Sequence, residues 1–304
     1  MKKFNYFKPK TLEQLFELMK DYPRYGLIAG GTNMVFQLKE GVKKPDAVID
    51  LKGIKALSEI TEDGEYLSIG AGVSVSEIEE MSSDTYAYPI LSQCAQLFSS
   101  TQIKNRGTIG GNLCSGSPTA DYAAVLAALN ARLILKSKTE ERHLLVEDFF
   151  LNKYLSGLQP KCKFCRRCMG RVAVQKGEVL TEICIPKTAG FNAFGFVKTG
   201  NTQPVENAIA SAAVCLKIQG SKCLEASVVL GGVSANPIRS VAAEDALTNA
   251  CQIDLKEIKE AVAAEVHTID DIAASASYRK KMAGVAVKRA LYKALKKRGD
   301  EHDD

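Results

Sequence analysis

Lys161 to Arg171 reads KCKFCRRCMGR, which sets Cys162, Cys165 and Cys168 at Cys-x-x-Cys-x-x-Cys spacing among five basic residues. That spacing lets three thiolates converge on one face of a compact cluster, with a distant cysteine completing an iron-sulfur ligand set. Structural zinc more often takes two separated Cys-x-x-Cys knuckles, and the sequence has no second one. An iron-sulfur cluster is therefore the first reading, with zinc or three reduced thiols as the others. Cys114 and Cys184 are the in-chain candidates for a fourth ligand, and a partner's cysteine or a non-cysteine ligand is also open. Cys94, Cys215, Cys223 and Cys251 lie in apolar or helical settings and read as buried small hydrophobes.

Two glycine pairs form the second kind of site. Ala29-Gly30-Gly31-Thr32-Asn33 follows an apolar run, and Thr108-Ile109-Gly110-Gly111-Asn112 repeats the pattern. Paired glycines take up positive φ and let the backbone approach a ligand, so successive N-H groups can converge on phosphate oxygens. Neither stretch is GxGxxG or GxxxxGK[ST], so dinucleotide-fold and P-loop sites are not indicated. A single Gly-Gly is adequately explained as a tight turn; two, each followed by a hydroxyl or amide, point to a ligand. Hydrolytic chemistry has no constellation. There are three histidines, no HExxH and no GxSxG. The acid pairs Glu79-Glu80 and Asp270-Asp271 read as solvated helix faces.

The elements that must position these residues are legible in outline. Residues 11 to 20, TLEQLFELMK, predict a capped helix. Strands are expected at Gly26 to Ala29, Ala47 to Leu51, Tyr66 to Val73 and Arg132 to Leu135, with a helix starting near Thr119 to Asp121. Past the cysteines come VLTEICI, FGFVK, IASAAVCLKI and EASVVLGGV as strands, then mostly helical stretches over 241 to 264 and 269 to 297. The class is α+β in two domains, 1–175 with a cysteine-rich inserted loop at about 157–176, and 176–304. The 304 residues carry a net charge of +5, much of it in the cysteine segment and in residues 288 to 298, which argues against nucleic acid as the partner. No apolar window approaches about 18 residues and no signal peptide is evident. Nine cysteines, an odd number, suit a cytoplasmic chain without a disulfide framework.

AGGTNMVFQLKEG, NRGTIGGNLCSGSPTADYAAVLAALNARL, GEVLTEICIP, GGVSANPIRSVAAEDAL and YRKKMAGVAVKRAL occur in that order over nearly the whole chain. Together they resemble the FAD-binding medium subunit of the molybdenum hydroxylases, the family of xanthine dehydrogenase, carbon monoxide dehydrogenase and 4-hydroxybenzoyl-CoA reductase. The resemblance implies a two-part FAD-binding domain of the vanillyl-alcohol-oxidase-like superfold, followed by a C-terminal α+β domain with an antiparallel sheet and helices. It implies FAD with its diphosphate on Ala29, Gly30, Gly31, Thr32 and Asn33 and on Thr108, Ile109, Gly110, Gly111 and Asn112. Asp121 would lie near the cofactor and Lys198 on its flavin side. Thr202 stands where the family commonly has arginine.

The implied function is electron transfer. A large molybdopterin subunit would hold the organic substrate, a small 2Fe-2S subunit would relay electrons, and this FAD would exchange them with NAD or another carrier. Some members carry an extra 4Fe-4S cluster in this subunit, which agrees in position and kind with the cysteine insertion. The alternatives are a stand-alone flavin reductase of the same superfold and a zinc-stabilised nucleic-acid-binding module. The first lacks a recognisable substrate domain, the second any aromatic-basic interleaving.

Overall fold

The computed structural model describes residues 2–81, 88–151, 171–187, 190–200, 207–249, 254–268, 270 and 273–299. The chain begins with β1 (Asn5–Phe7) and α1 (Leu12–Asp21). Thr11 caps α1 by accepting a hydrogen bond from the Gln14 N-H at 3.3 Å, and Leu15 and Met19, one turn apart, are buried. With β2 (Tyr25–Ile28), α2 (Met34–Lys39) and β3 (Ala47–Asp50) the first layer is complete. It is a parallel sheet in the order β1-β3-β2. Every residue of central β3 is buried, as a parallel strand covered on both faces requires.

The second layer contains β4 (Ile60–Glu62), β5 (Tyr66–Gly70), α3 (Val75–Glu80), α4 (Pro89–Gln96), α5 (Thr101–Lys104), α6 (Ile109–Cys114) and α7 (Asp121–Ala128). It continues with β6 (Arg132–Lys136), β7 (Glu141–Leu145), α8 (Val146–Phe149) and β8 (Val179–Pro186). Its antiparallel sheet runs β4-β5-β8-β6-β7. Because β8 pairs with both β5 and β6, a domain boundary at 176 would separate a central strand from its partners. The sheet carries the first unit through Pro186. All eight residues of α7, DYAAVLAA, are buried. A helix apolar all round belongs in a core, and its alanines let neighbours approach from every side.

The second unit has β9 (Ala193–Thr199), β10 (Ala210–Gln219), β11 (Lys222–Gly231), β12 (Ile238–Arg239), α9 (Val241–Asn249), α10 (Leu255–Glu265) and α11 (Ala276–Gly299). Its antiparallel sheet runs β12-β11-β10-β9. β10 is buried along nearly its whole length because α7 packs against it on one side and α11 on the other. One apolar core therefore runs from Leu67 and Ile69 through α4 and α7 to Phe194, Phe196, Ala213 and Val229, joining the units. A second core lies under α9 to α11. The stretch expected as helix over 241 to 264 is two helices, because Asp254 caps a new one by accepting from the Lys256 N-H at 2.7 Å. The last helix starts at Ala276 rather than near 269. The α+β class, the two-part first unit and the antiparallel sheet with helices in the second agree with expectation. No described helix is long and apolar enough to cross a membrane.

Candidate functional site

Loop 29–33 leaves the end of β2 and enters α2. Gly31 has φ +81, a conformation open to glycine, and Asn33 occupies the N-cap position of α2 without a side-chain cap bond. Among the described residues, the backbone N-H groups of Gly30, Gly31, Thr32 and Asn33 find no hydrogen-bond acceptor. Thr32 and Asn33 are exposed. Four consecutive N-H donors that the described residues leave open suit an anion. Carbonyls of the loop are held instead: Gly31 O accepts from the Val35 N-H at 3.0 Å, Asn33 O from the Gln37 N-H at 3.1 Å, and Ala29 O from Lys52 Nζ at 2.9 Å.

The second stretch is bonded differently. Four of its N-H groups are already used: Ile109 donates to Val73 O at 3.0 Å, Gly110 to Ala71 O at 2.9 Å, Gly111 to Thr108 Oγ1 at 3.0 Å and Asn112 to Thr108 O at 2.9 Å. Neither Gly110 nor Gly111 has positive φ; both lie in α6. Close packing explains Gly110, where a Cβ would stand 2.6 Å from Ala71 O. What remains for a ligand is side-chain chemistry. The Tyr122 N-H donates to Asn112 Oδ1 at 3.3 Å, so the Asn112 amide nitrogen is left as a donor. The fold brings the two stretches together, since a Cβ on Gly30 would lie 1.7 Å from Arg106 O, two residues before Thr108.

Lys43, beyond α2, and Cys114, at the end of α6, face the same space. Both are open to solvent, yet enough protein surrounds them to lower the lysine's pKa by desolvation and to raise the thiol to about 12, against the influence of the Lys43 charge.

Asp121 and Lys198 meet. Lys198 is 3% exposed rather than a surface lysine; its ammonium donates to Asp121 Oδ2 at 2.8 Å and to Phe98 O at 3.1 Å. The pair ties the start of α7 to β9, across the two units. Asp121 Oδ1 is buried with no hydrogen-bond partner among the described residues. Burial pushes this carboxyl up to about 6 in spite of Lys198. At the other end of α7, Arg239 Nη2 donates to Ala127 O and Asn130 Oδ1, both at 3.0 Å. Its remaining nitrogens donate to Glu147 Oε1 at 2.8 Å, Ser227 Oγ at 2.9 Å and Glu244 Oε1 at 3.1 Å.

Residues 2–188 match the family model described as the FAD binding domain in molybdopterin dehydrogenase, and residues 200–294 match the CO dehydrogenase flavoprotein C-terminal domain. The chain belongs to the FAD-binding subunits of the molybdenum hydroxylases. It is 31% identical over 254 residues to the nicotinate dehydrogenase FAD-subunit of Eubacterium barkeri, covering 82% of this chain and 81% of that one. To the carbon monoxide dehydrogenase medium chain of Afipia carboxidovorans it is 30% identical over 297 residues, 96% of each. Among solved structures, a carbon monoxide dehydrogenase from Hydrogenophaga pseudoflava, lacking the Mo-pyranopterin moiety of its molybdenum cofactor, superposes with a TM-score of 0.85 at 26% identity, over 97% of this chain and 98% of that one.

This flavoprotein subunit is thus part of an oxidoreductase. FAD fits the donor set described above, because a diphosphate needs N-H donors and loop 29–33 holds four unpaired ones. Cys162, Cys165, Cys168 and Cys251, with Thr202, lie outside the described residues. Among those described, no three His, Cys, Asp or Glu side chains gather as metal ligands. Cys184 sits in β8 with its sulfur 3.5 Å from Ser68 Oγ. Cys94, Cys215 and Cys223 are buried, as small hydrophobes would be.

Proposed function

We propose that FAD binds this subunit with its diphosphate on the open N-H groups of Gly30 to Asn33, and that the subunit passes electrons between iron-sulfur clusters of a small 2Fe-2S subunit and a carrier such as NAD. The organic substrate reacts at a large molybdopterin subunit. FAD, when bound, supplies exchange between one-electron and two-electron partners. The chain's own residues bind and orient it. Residues 30 to 33 give backbone donors, Asn112 gives an amide donor, and Ile109 to Gly111, with their N-H groups bonded inside the fold, hold the facing wall. Asp121 and Lys198 support the flavin side from behind by fastening the second unit to the first. The cysteines of the inserted loop hold an additional 4Fe-4S cluster, and the protein works in the cytoplasm.

The observation that carries this reading is the set of four unpaired backbone donors beside a glycine at positive φ, in a chain of this family. Gly31→Val tests it. A β-branched residue at that φ is strained by about 1–3 kcal/mol, and relief of the strain would turn the donors away. The variant should elute from gel filtration without flavin absorbance, whereas full flavin retention refutes the diphosphate assignment.

A further inference from the structure

Lys52 belongs to neither glycine stretch and lies 23 residues from the carbonyl it holds. It sits in the 3-10 turn Leu51–Gly53 that follows β3. Its ammonium bridges Ala29 O at 2.9 Å and Asp50 Oδ1 at 2.7 Å. Asp50 is 1% exposed; its Oδ1 also accepts from the Lys52 N-H at 3.0 Å, and its Oδ2 from the Tyr6 hydroxyl on β1. Against the desolvation that burial imposes, the bonds from Lys52 and Tyr6 hold the Asp50 carboxyl below its ordinary range. The charge that anchors Lys52 is therefore itself fixed by two strands of the first sheet.

We propose that Lys52 is a positioning residue for the diphosphate, holding the Ala29–Gly30 peptide so that the donors of residues 30 to 33 face the ligand. The proposal rests on the diphosphate reading of that loop. In a trans peptide the C=O and the N-H of the same plane point in opposite directions. With the Ala29 oxygen drawn to Lys52, the Gly30 N-H is aimed the other way, and the turn at Gly31 carries the next donors along. Were that peptide free to rotate, it could present an oxygen where a phosphate has to sit, and acceptor against anion is repulsive. The ammonium also adds positive potential behind the loop, which favours the same ligand. Lys52 need not touch the cofactor to do either.

The test is equilibrium binding of FAD and of ADP to the full-length chain stripped of flavin, for wild type, Lys52→Met, Lys52→Arg and Gly31→Val. ADP carries the diphosphate without the isoalloxazine. Lys52→Met should weaken both ligands by the same factor, about tenfold or more for one charge-assisted hydrogen bond, while the flavin-free chain still unfolds in one cooperative transition, at a lower temperature because the Asp50 carboxylate loses a partner. Lys52→Arg, which still donates to both Ala29 O and Asp50, should restore most of the affinity. If Lys52→Met binds both ligands like wild type while Gly31→Val binds neither, the positioning role is wrong and the loop assignment stands. Binding of both ligands by Gly31→Val overturns the loop assignment and the proposal with it. Loss of both ligands by Lys52→Met together with loss of the cooperative unfolding transition of its flavin-free chain would make Lys52 a structural prop and overturn the proposal.

Discussion

Asp121 meets Lys198 with one oxygen and no donor with the other, and that asymmetry governs its titration. An ionised carboxylate stripped of water needs donors on both oxygens, and one ammonium does not replace the lost hydration. The folded carboxyl therefore titrates near 6, above its ordinary value of 3.8. With the folded value raised, the folded chain binds the extra proton, so this contribution to stability is full below about pH 4 and is lost as pH rises through about 6. Asp121→Asn cannot ionise and should flatten that part of the profile. Denaturant unfolding of the flavin-free chain from pH 4 to pH 7 should show wild type losing stability relative to the variant; parallel curves would mean that Lys198 fully compensates the charge.

At the scale of elements, α7 is the member both units share. Its residues are buried all round, and each end meets a cation from the second unit, Lys198 at Asp121 and Arg239 at Ala127 O and Asn130. The last carbonyls of a helix lack intrahelical donors, and a positive charge there suits the helix dipole. Arg239 serves five acceptors with one planar fork, whereas a lysine ammonium has three donors on a single atom. Arg239→Lys should thus lower stability by about 2 kcal/mol, on the scale of hydrogen bonds to charged groups. The check is a shift of the denaturation midpoint at constant slope; an unshifted midpoint would show that the staple contributes nothing net.

For the whole molecule, the residues that flank the cysteine insertion pair with each other. Leu151 N donates to Arg171 O at 3.0 Å and Ala173 N to Phe149 O at 2.8 Å, so both ends of the segment are held side by side. Neither end is in a glycine stretch. Metal and flavin should accordingly be separable. Anaerobically prepared protein should hold about four irons and four sulfides per chain, the composition of one 4Fe-4S cluster. The triple variant Cys162→Ser, Cys165→Ser, Cys168→Ser should lose them and keep FAD. Iron and sulfide analysis with low-temperature electron paramagnetic resonance is the measurement, and zinc without labile sulfide would remove the cluster while leaving the flavin assignment intact.

Local pattern was enough for much of this chain. The capped helix after Thr11, the buried run Ala47 to Asp50, the long strands Ala210–Gln219 and Lys222–Gly231 and the two glycine pairs are written in short-range periodicity and composition, and the ordered motifs are sufficient for the family. Short elements such as β1, β4 and α5 have too few residues for any period to show. Partnership was decided by the tertiary structure. Two stretches of like composition differ in backbone pairing because Val73 and Ala71 reach the N-H groups of Ile109 and Gly110, while none of the described residues reaches those of Gly30 to Asn33. Lys198 is buried because Asp121 lies opposite it, and Lys52 meets Ala29 because β2 and β3 pair in parallel. Hydrogen bonds and ion pairs form between groups that folding brings together from distant positions, so which donors remain for a ligand is known only when every other partner has its place.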